Sequence, residues 1–237
     1  MFVRWGDAGE DASSLETGLG EVPARFIRES FGGDLRLAFV RELEHCCNWK
    51  IPIENALESY HVPMLHDGFV ARHPRLFRFF QGSPGPGRAG RELGERYTVA
   101  RDRLGADSRL YPGLVEGLRP DASIDFELLH AFPSLLLGKT GLVRFVQAVI
   151  PVSATTSKSI VAMFLDLGQS DRSLAERALA PLADAVAEAL FTRLMGQDSR
   201  IFPLAQRGME ASTQPGVLGS RETCIHHFHS YLADRMR

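Results

Sequence analysis

Leu142-Val-Arg-Phe-Val-Gln-Ala-Val-Ile-Pro-Val-Ser-Ala-Thr-Thr-Ser-Lys-Ser-Ile-Val-Ala-Met-Phe-Leu-Asp166 is the stretch on which the fold turns. Two runs rich in β-branched and aromatic residues, Leu142 to Val152 and Ser157 to Asp166, flank Ser153-Ala-Thr-Thr156. That pattern predicts an antiparallel hairpin. Upstream, Arg96 to Arg101 and Ser123 to Leu129 carry the same strand signals, and Leu35 to Cys47 reads as a strand feeding into Asn48-Trp49-Lys50. Downstream the period changes. Ser173-Leu-Ala-Glu176 is a capping-box pattern, and Leu182, Val186, Leu190 and Leu194 recur every four residues, which predicts a helix with one buried stripe. Pro181 and Pro203 are expected to kink that helix or break it into pieces. Strands followed by a long helix argue an α+β fold.

The remaining segments are less regular. Met1 to about Phe31 is mixed in polarity with no strong period. Ile53 to His66 reads as helical, with Glu54 and Glu58 four apart on one face. About Phe69 to Leu93 reads as a long mobile loop, because Gly82-Ser-Pro-Gly-Pro-Gly-Arg-Ala-Gly90 is too punctuated for regular structure.

Bulk properties narrow the function classes. The 237 residues suit one large domain, and 44% hydrophobic with 24% charged residues is ordinary for a soluble globular protein. A net charge of −2, with the basic residues scattered, gives no electrostatic case for nucleic acid or an anionic membrane. Three cysteines, two of them adjacent (Cys46, Cys47), make a poor disulfide framework. With no apolar leader and no ~20-residue apolar run, a cytoplasmic setting is expected. Gly85-Pro-Gly-Arg-Ala-Gly90 has the spacing of a dinucleotide loop but contains a proline and follows no strand. Gly138-Lys139-Thr140 lacks the first glycine of a phosphate loop, since Pro133 stands there. No Ser/His/Asp set can be assembled. His226, His227 and His229 read as solvent-facing helix residues or as adventitious metal binders.

Asn48-Trp-Lys-Ile-Pro-Ile-Glu-Asn-Ala-Leu-Glu-Ser-Tyr-His-Val-Pro-Met-Leu-His66 is the richest stretch in chemistry. His61 and His66 are five apart, which leaves side chains about 140° apart on an ideal helix. Pro63 between them distorts the turn, so both imidazoles can converge. Glu58 precedes His61 by three, where a carboxylate can hold a ligand imidazole in the right tautomer. Asp198 falls on the buried stripe of the long helix, four after Leu194, and a carboxylate there is costly unless paired or coordinated. Gly196 offers a second explanation, by ending the helix and leaving Asp198 to cap the next piece. Two histidines and one carboxylate form the donor set of non-haem Fe(II) oxygenases, but spacing alone does not join them.

The Asn48 to His66 stretch resembles the active-site signature of the catalytic domain of Rieske non-haem iron oxygenase large (alpha) subunits, the ring-hydroxylating dioxygenase family. Gln197-Asp198-Ser-Arg-Ile-Phe-Pro-Leu-Ala-Gln206-Arg-Gly208 is similar to the family's later segment, with Gln197 where an acid is usual. Phe132-Pro133-Ser-Leu-Leu and Ile150-Pro151 also look like the family.

The resemblance implies a helix-grip (START-like) fold, an antiparallel sheet curled around a long C-terminal helix, with residues 1–237 as one catalytic domain and 1–34 as its leading segment. It implies Fe(II) held by His61, His66 and Asp198, with O2 as co-substrate. Glu58 then matches the acid that bridges a ligand histidine to the iron–sulfur cluster of a neighbouring subunit. Asn55 matches a position near the iron. Glu rather than Asp at 58 resembles the branch that includes oxygenases of quaternary amines.

The chain has no paired Cys-x-His and Cys-x-x-His, the ligand set of a Rieske cluster; Cys224-Ile-His226 meets only the first half. No [2Fe–2S] cluster is therefore expected in this chain. Electrons are expected from a separate Rieske protein or domain and a reductase, within a homotrimer or related oligomer. The implied activity is mono- or dioxygenation, hydroxylating or dealkylating a small organic substrate, aromatic ones included. The second reading is a non-catalytic small-molecule binding protein, or an oxygenase fragment, built on the same fold.

Overall fold

The computed structural model describes residues 18–58, 61, 65–66, 90–102, 115–116, 119–167, 174–214 and 216–236. Its centre is the expected hairpin. Strands β6 (Val143–Pro151) and β7 (Ser157–Leu165) pair antiparallel with Val149 opposite Ser159. Val152 and Ser153 both donate their backbone N–H to the Thr156 carbonyl, at 3.0 Å each, and so close the turn.

Around that hairpin the sheet grows to seven strands, every neighbouring pair antiparallel, in the order β1-β7-β6-β5-β4-β3-β2. Its other members are β1 (Arg36–His45), β2 (Gly90–Gly94), β3 (Tyr97–Asp102), β4 (Phe126–Ala131) and β5 (Leu135–Thr140). Two of these lie outside the expected strands. β5 reads Leu-Leu-Leu-Gly-Lys-Thr, an apolar run without alternation, and it is bonded on both sides. Gly138 within it lets the Phe145 ring of β6 approach, since a Cβ there would fall 2.1 Å from that ring. β2 corrects the expected loop. Residues 67–89 lie outside the described residues, but Gly90 to Leu93 are strand, paired to β3 with Glu92 opposite Val99.

The central strands β3, β4 and β5 bury consecutive residues toward the two faces of the sheet in turn, as the period of two requires. Helix α1 (Glu21–Phe31), which the mixed N-terminal sequence concealed, sets Phe26 against Val99, Leu129 and Leu137 on one face. The opposite face presents Ala100, Leu128, Leu136 and Val149. These pack with Ile53 and Leu57 of α2 (Lys50–Leu57) and with Cys224, Ile225 and Phe228 of α4 (Thr223–Arg235).

The long helix α3 (Leu174–Ala211) is unbroken despite Pro181 and Pro203, against the expected division. It is pinned along β1 by Arg36–Asp184 and Arg41–Glu188 ion pairs, and by ring contacts Phe39–Phe191 and His45–Phe202, both at 5.4 Å. A proline deletes one backbone donor, and these contacts of the helix with β1 offset that local loss. The fold is α+β, an antiparallel sheet gripping a long helix near the C-terminus. No helix among the described residues is long and apolar enough to cross a membrane.

Candidate metal centre

Asn48 fastens the start of the site. Its backbone N–H donates to Gln206 Oε1 on α3 (2.8 Å), its side-chain amide donates to the Ala154 carbonyl (2.9 Å), and its Oδ1 accepts from the Lys50 N–H (3.1 Å). One residue thereby ties the β1–α2 junction to α3 and to the hairpin turn. Buried Cys47, Ile51 and Phe202 seal the seam between α2 and α3.

Helix α2 ends at Leu57, so the helix expected from Ile53 to His66 is corrected. Glu58 is extended, at φ −126° and ψ 151°, and no longer shares a face with Glu54, which instead pairs with His229 at 2.7 Å. The Glu58 carboxylate supplies the reason. It accepts the backbone N–H of His61 (3.1 Å) and also meets the His61 ring at Nδ1, a local bond that competes with helix continuation. Beyond it, the Leu65 N–H donates to the His61 carbonyl at 2.8 Å. This break removes the 140° problem. The two imidazoles need not share a straight helix, and their ring centroids lie 5.7 Å apart at 72°.

Asp198 arrives from α3, which passes through Gly196 without ending, so the capping explanation fails. Its Oδ1 lies 3.4 Å from His66 Nε2 and 3.9 Å from His61 Nε2. One donor atom from each of the three residues fits within a 4.8 Å span. Metal–nitrogen and metal–oxygen bonds of ~2.0–2.2 Å let a single ion bridge donors ~4 Å apart.

Asp198 is 3% exposed, and its Oδ1 has no hydrogen-bond partner among the described residues. Burial pushes its carboxyl above the usual carboxylate range, and Glu58 adds to that; His66, His61 and a hydrogen bond from Asn55 pull the other way. Two carboxylates and two imidazoles around an unsatisfied buried oxygen suit a divalent cation. Asn55, expected near the iron, is thus close enough to Asp198 to favour its charged form.

Two polar features escaped the sequence reading. Gln197, noted there only as a departure from an acid, places Oε1 2.8 Å from His66 Nδ1. On the sheet, Ser159 Oγ receives a hydrogen bond from Gln147 (3.0 Å) and contacts His45 Nε2 (2.9 Å), all three residues buried. His45 rests on Phe202, one helical turn beyond Asp198, and burial lowers its pKa. The signal for that row was available as polar residues on the buried phase of β1, β6 and β7.

Of the other leads, Gly85 to Ala89 lie outside the described residues, and the following dissolve into structure. Gly138-Lys139-Thr140 is strand β5, and Cys224 is core. On α4, His227 contacts the Gly94 carbonyl (2.6 Å) and His229 pairs with Glu54.

The family model described as ring hydroxylating alpha subunit (catalytic domain) matches residues 35–237. No curated protein matches the sequence. Among solved structures, the quaternary ammonium Rieske monooxygenase CntA in complex with L-carnitine aligns at 17% identity and a TM-score of 0.63, over 96% of this chain and 57% of that one. A variant of naphthalene 1,2-dioxygenase bound to phenanthrene aligns at 16% identity and 0.63, over 94% and 60%. Dicamba monooxygenase bound to dicamba aligns at 14% identity and 0.60, over 86% and 60%. At these identities the likeness is one of fold. The chain spans about three fifths of the length of each.

Proposed function

The chain belongs to the ring hydroxylating alpha subunit catalytic-domain family, and from that premise we propose that it is the mononuclear non-haem Fe(II) component of a Rieske-type oxygenase. Residues 1–237 act as one catalytic domain. The single observation that carries the proposal is the Asp198 carboxylate, buried on α3 with an unpartnered Oδ1 facing two imidazole nitrogens.

His61, His66 and Asp198 hold the metal through one nitrogen each and a carboxylate oxygen. That donor set leaves positions for other ligands. Bound there, Fe(II) supplies the reductive activation of O2. The protein's own groups prepare the site for it. Glu58 accepts from the His61 Nδ1–H, which fixes the tautomer and leaves Nε2 with its lone pair toward Asp198. Asn55 favours the charged form of Asp198.

Hydroxylation of a small organic molecule RH to ROH consumes O2, two electrons and two protons and releases water. Both electrons come from a separate Rieske [2Fe–2S] centre served by a reductase. They enter through Glu58, within a homotrimer or related oligomer. Dealkylation follows from the same hydroxylation when the carbon attacked carries a heteroatom.

Anaerobic reconstitution with Fe(II) tests the proposal. About one iron per chain is expected for the wild type and none for Asp198→Ala. Oxygen consumption is expected when a Rieske donor, its reductase and substrate are added. A wild-type chain that retains no iron would overturn the reading.

A further inference from the structure

The two histidines of the site are held from behind by different chemistry. His61 Nδ1 meets the Glu58 carboxylate, and His66 Nδ1 meets the side-chain amide oxygen of Gln197 at 2.8 Å. Gln197 and Asp198 are successive residues of α3, about 100° apart around its axis. They bracket one ring, Gln197 at Nδ1 and Asp198 at Nε2 (3.4 Å). A carbonyl-type oxygen at Nδ1 requires an N–H there, so the Nε2 lone pair is left for a metal.

Resting on the iron-site reading above, we infer that Gln197 is the positioning residue for His66, and that its neutral amide makes His66 the weaker of the two histidine ligands. A carboxylate behind an imidazole forms a charge-assisted bond and raises the basicity of the far nitrogen, whereas an amide orients the ring with less effect on it. An acid at 197 would also put a further anion beside the buried Asp198, near which Glu58 already stands. The amide keeps the orientation without that repulsion. The site is therefore asymmetric, with His61 as its firm anchor and His66 as its yielding ligand.

Anaerobic Co(II) titration of the full chain, followed by visible absorption, tests this. Gln197→Leu removes the acceptor at similar size and is expected to weaken Co(II) binding roughly 10–100-fold and to shift the ligand-field bands. Gln197→Glu restores an acceptor with charge and is expected to bind Co(II) several-fold tighter than wild type. Unchanged affinity and spectrum in Gln197→Leu overturn the inference even if the metal binds. So does a Gln197→Glu protein no tighter than wild type. A wild-type chain that binds no Co(II) removes the iron-site reading and this inference with it.

Discussion

Asp166 and Asp198 are both buried carboxylates, 8% and 3% exposed, and the protein satisfies them in opposite ways. Asp166 follows β7 and is saturated. Arg144 donates to Oδ2 at 3.0 Å, Arg119 pairs with Oδ1, and the Asp166 backbone N–H donates to the Leu142 carbonyl. Arg144 is itself held by the Ser30 and Gly141 carbonyls. Asp198 has no such guanidinium; its ion-pair partners among the described residues are two histidines, and Oδ1 has no hydrogen bond. A carboxylate that serves the fold is closed by cations of the chain. One kept short of them is open to a cation from outside.

That contrast can be broken most severely at Asp166. Asp166→Ala removes the buried carboxylate that Arg144 and Arg119 share, and a loss of about 3–5 kcal/mol in unfolding free energy is expected. Urea denaturation would show it, while metal affinity should stay at the wild-type value in whatever folds. A loss under about 1 kcal/mol would mean the Asp166 network is ornamental.

His130 sharpens the comparison, because it is a buried ionisable group with no counter-charge among the described residues. Desolvation lowers its pKa to about 4, against a partial offset from the Pro133 carbonyl that accepts from Nε2 at 2.9 Å. A histidine depressed in the fold contributes stability that is complete above its unfolded value of 6.5 and is lost as pH falls toward the folded value. Up to about 3 kcal/mol should disappear between pH 6.5 and 4. Equilibrium unfolding of wild type and His130→Phe across that window measures it. Parallel curves for the two proteins would refute the assignment.

Metal is the next lever. Fe(II) or Co(II) at 100 times its dissociation constant should stabilise the wild type by about 2.7 kcal/mol, a rise of about 5–10 °C in Tm for a chain of this size. Asp198→Ala should show no rise, and thermal denaturation with and without metal decides the matter.

The smallest effect is the most telling. Because burial raises the Asp198 carboxyl in the fold, its contribution is present below the unfolded pKa and lost as pH rises through the folded one. At pH 7 in a chelator, Asp198→Asn should therefore be as stable as wild type or a few tenths of a kcal/mol more stable. Clear destabilisation would show that Asp198 serves the fold, as Asp166 does.

Much of this was legible in sequence, and unevenly. Strands β1, β3, β4, β6 and β7 stood out because period-two patterning and β-branched composition reflect local sterics. β5 did not, because a strand buried on both faces does not alternate; α1 did not either, although Val22, Phe26, Ile27 and Phe31 recur at helical spacing along its packed face. The three residues of the site were named from motif resemblance, and their meeting depends on α2 ending at Leu57, which the helical reading of Ile53 to His66 did not anticipate. Gln197 was visible only as a substitution; its partner lies 131 positions away.

What the sequence by itself determined is what neighbouring residues decide: the hairpin around Ser153-Ala-Thr-Thr156, the long helix leading to Asp198, and the Glu58–His61 spacing. What only the tertiary structure decided is which buried carboxylate stays open. Asp166 and Asp198 look alike in the chain, and they differ because Arg119 and Arg144 fold onto one while two imidazoles fold onto the other. Charge compensation is a property of distance, and distance between remote residues is set only when the sheet and α3 close on each other.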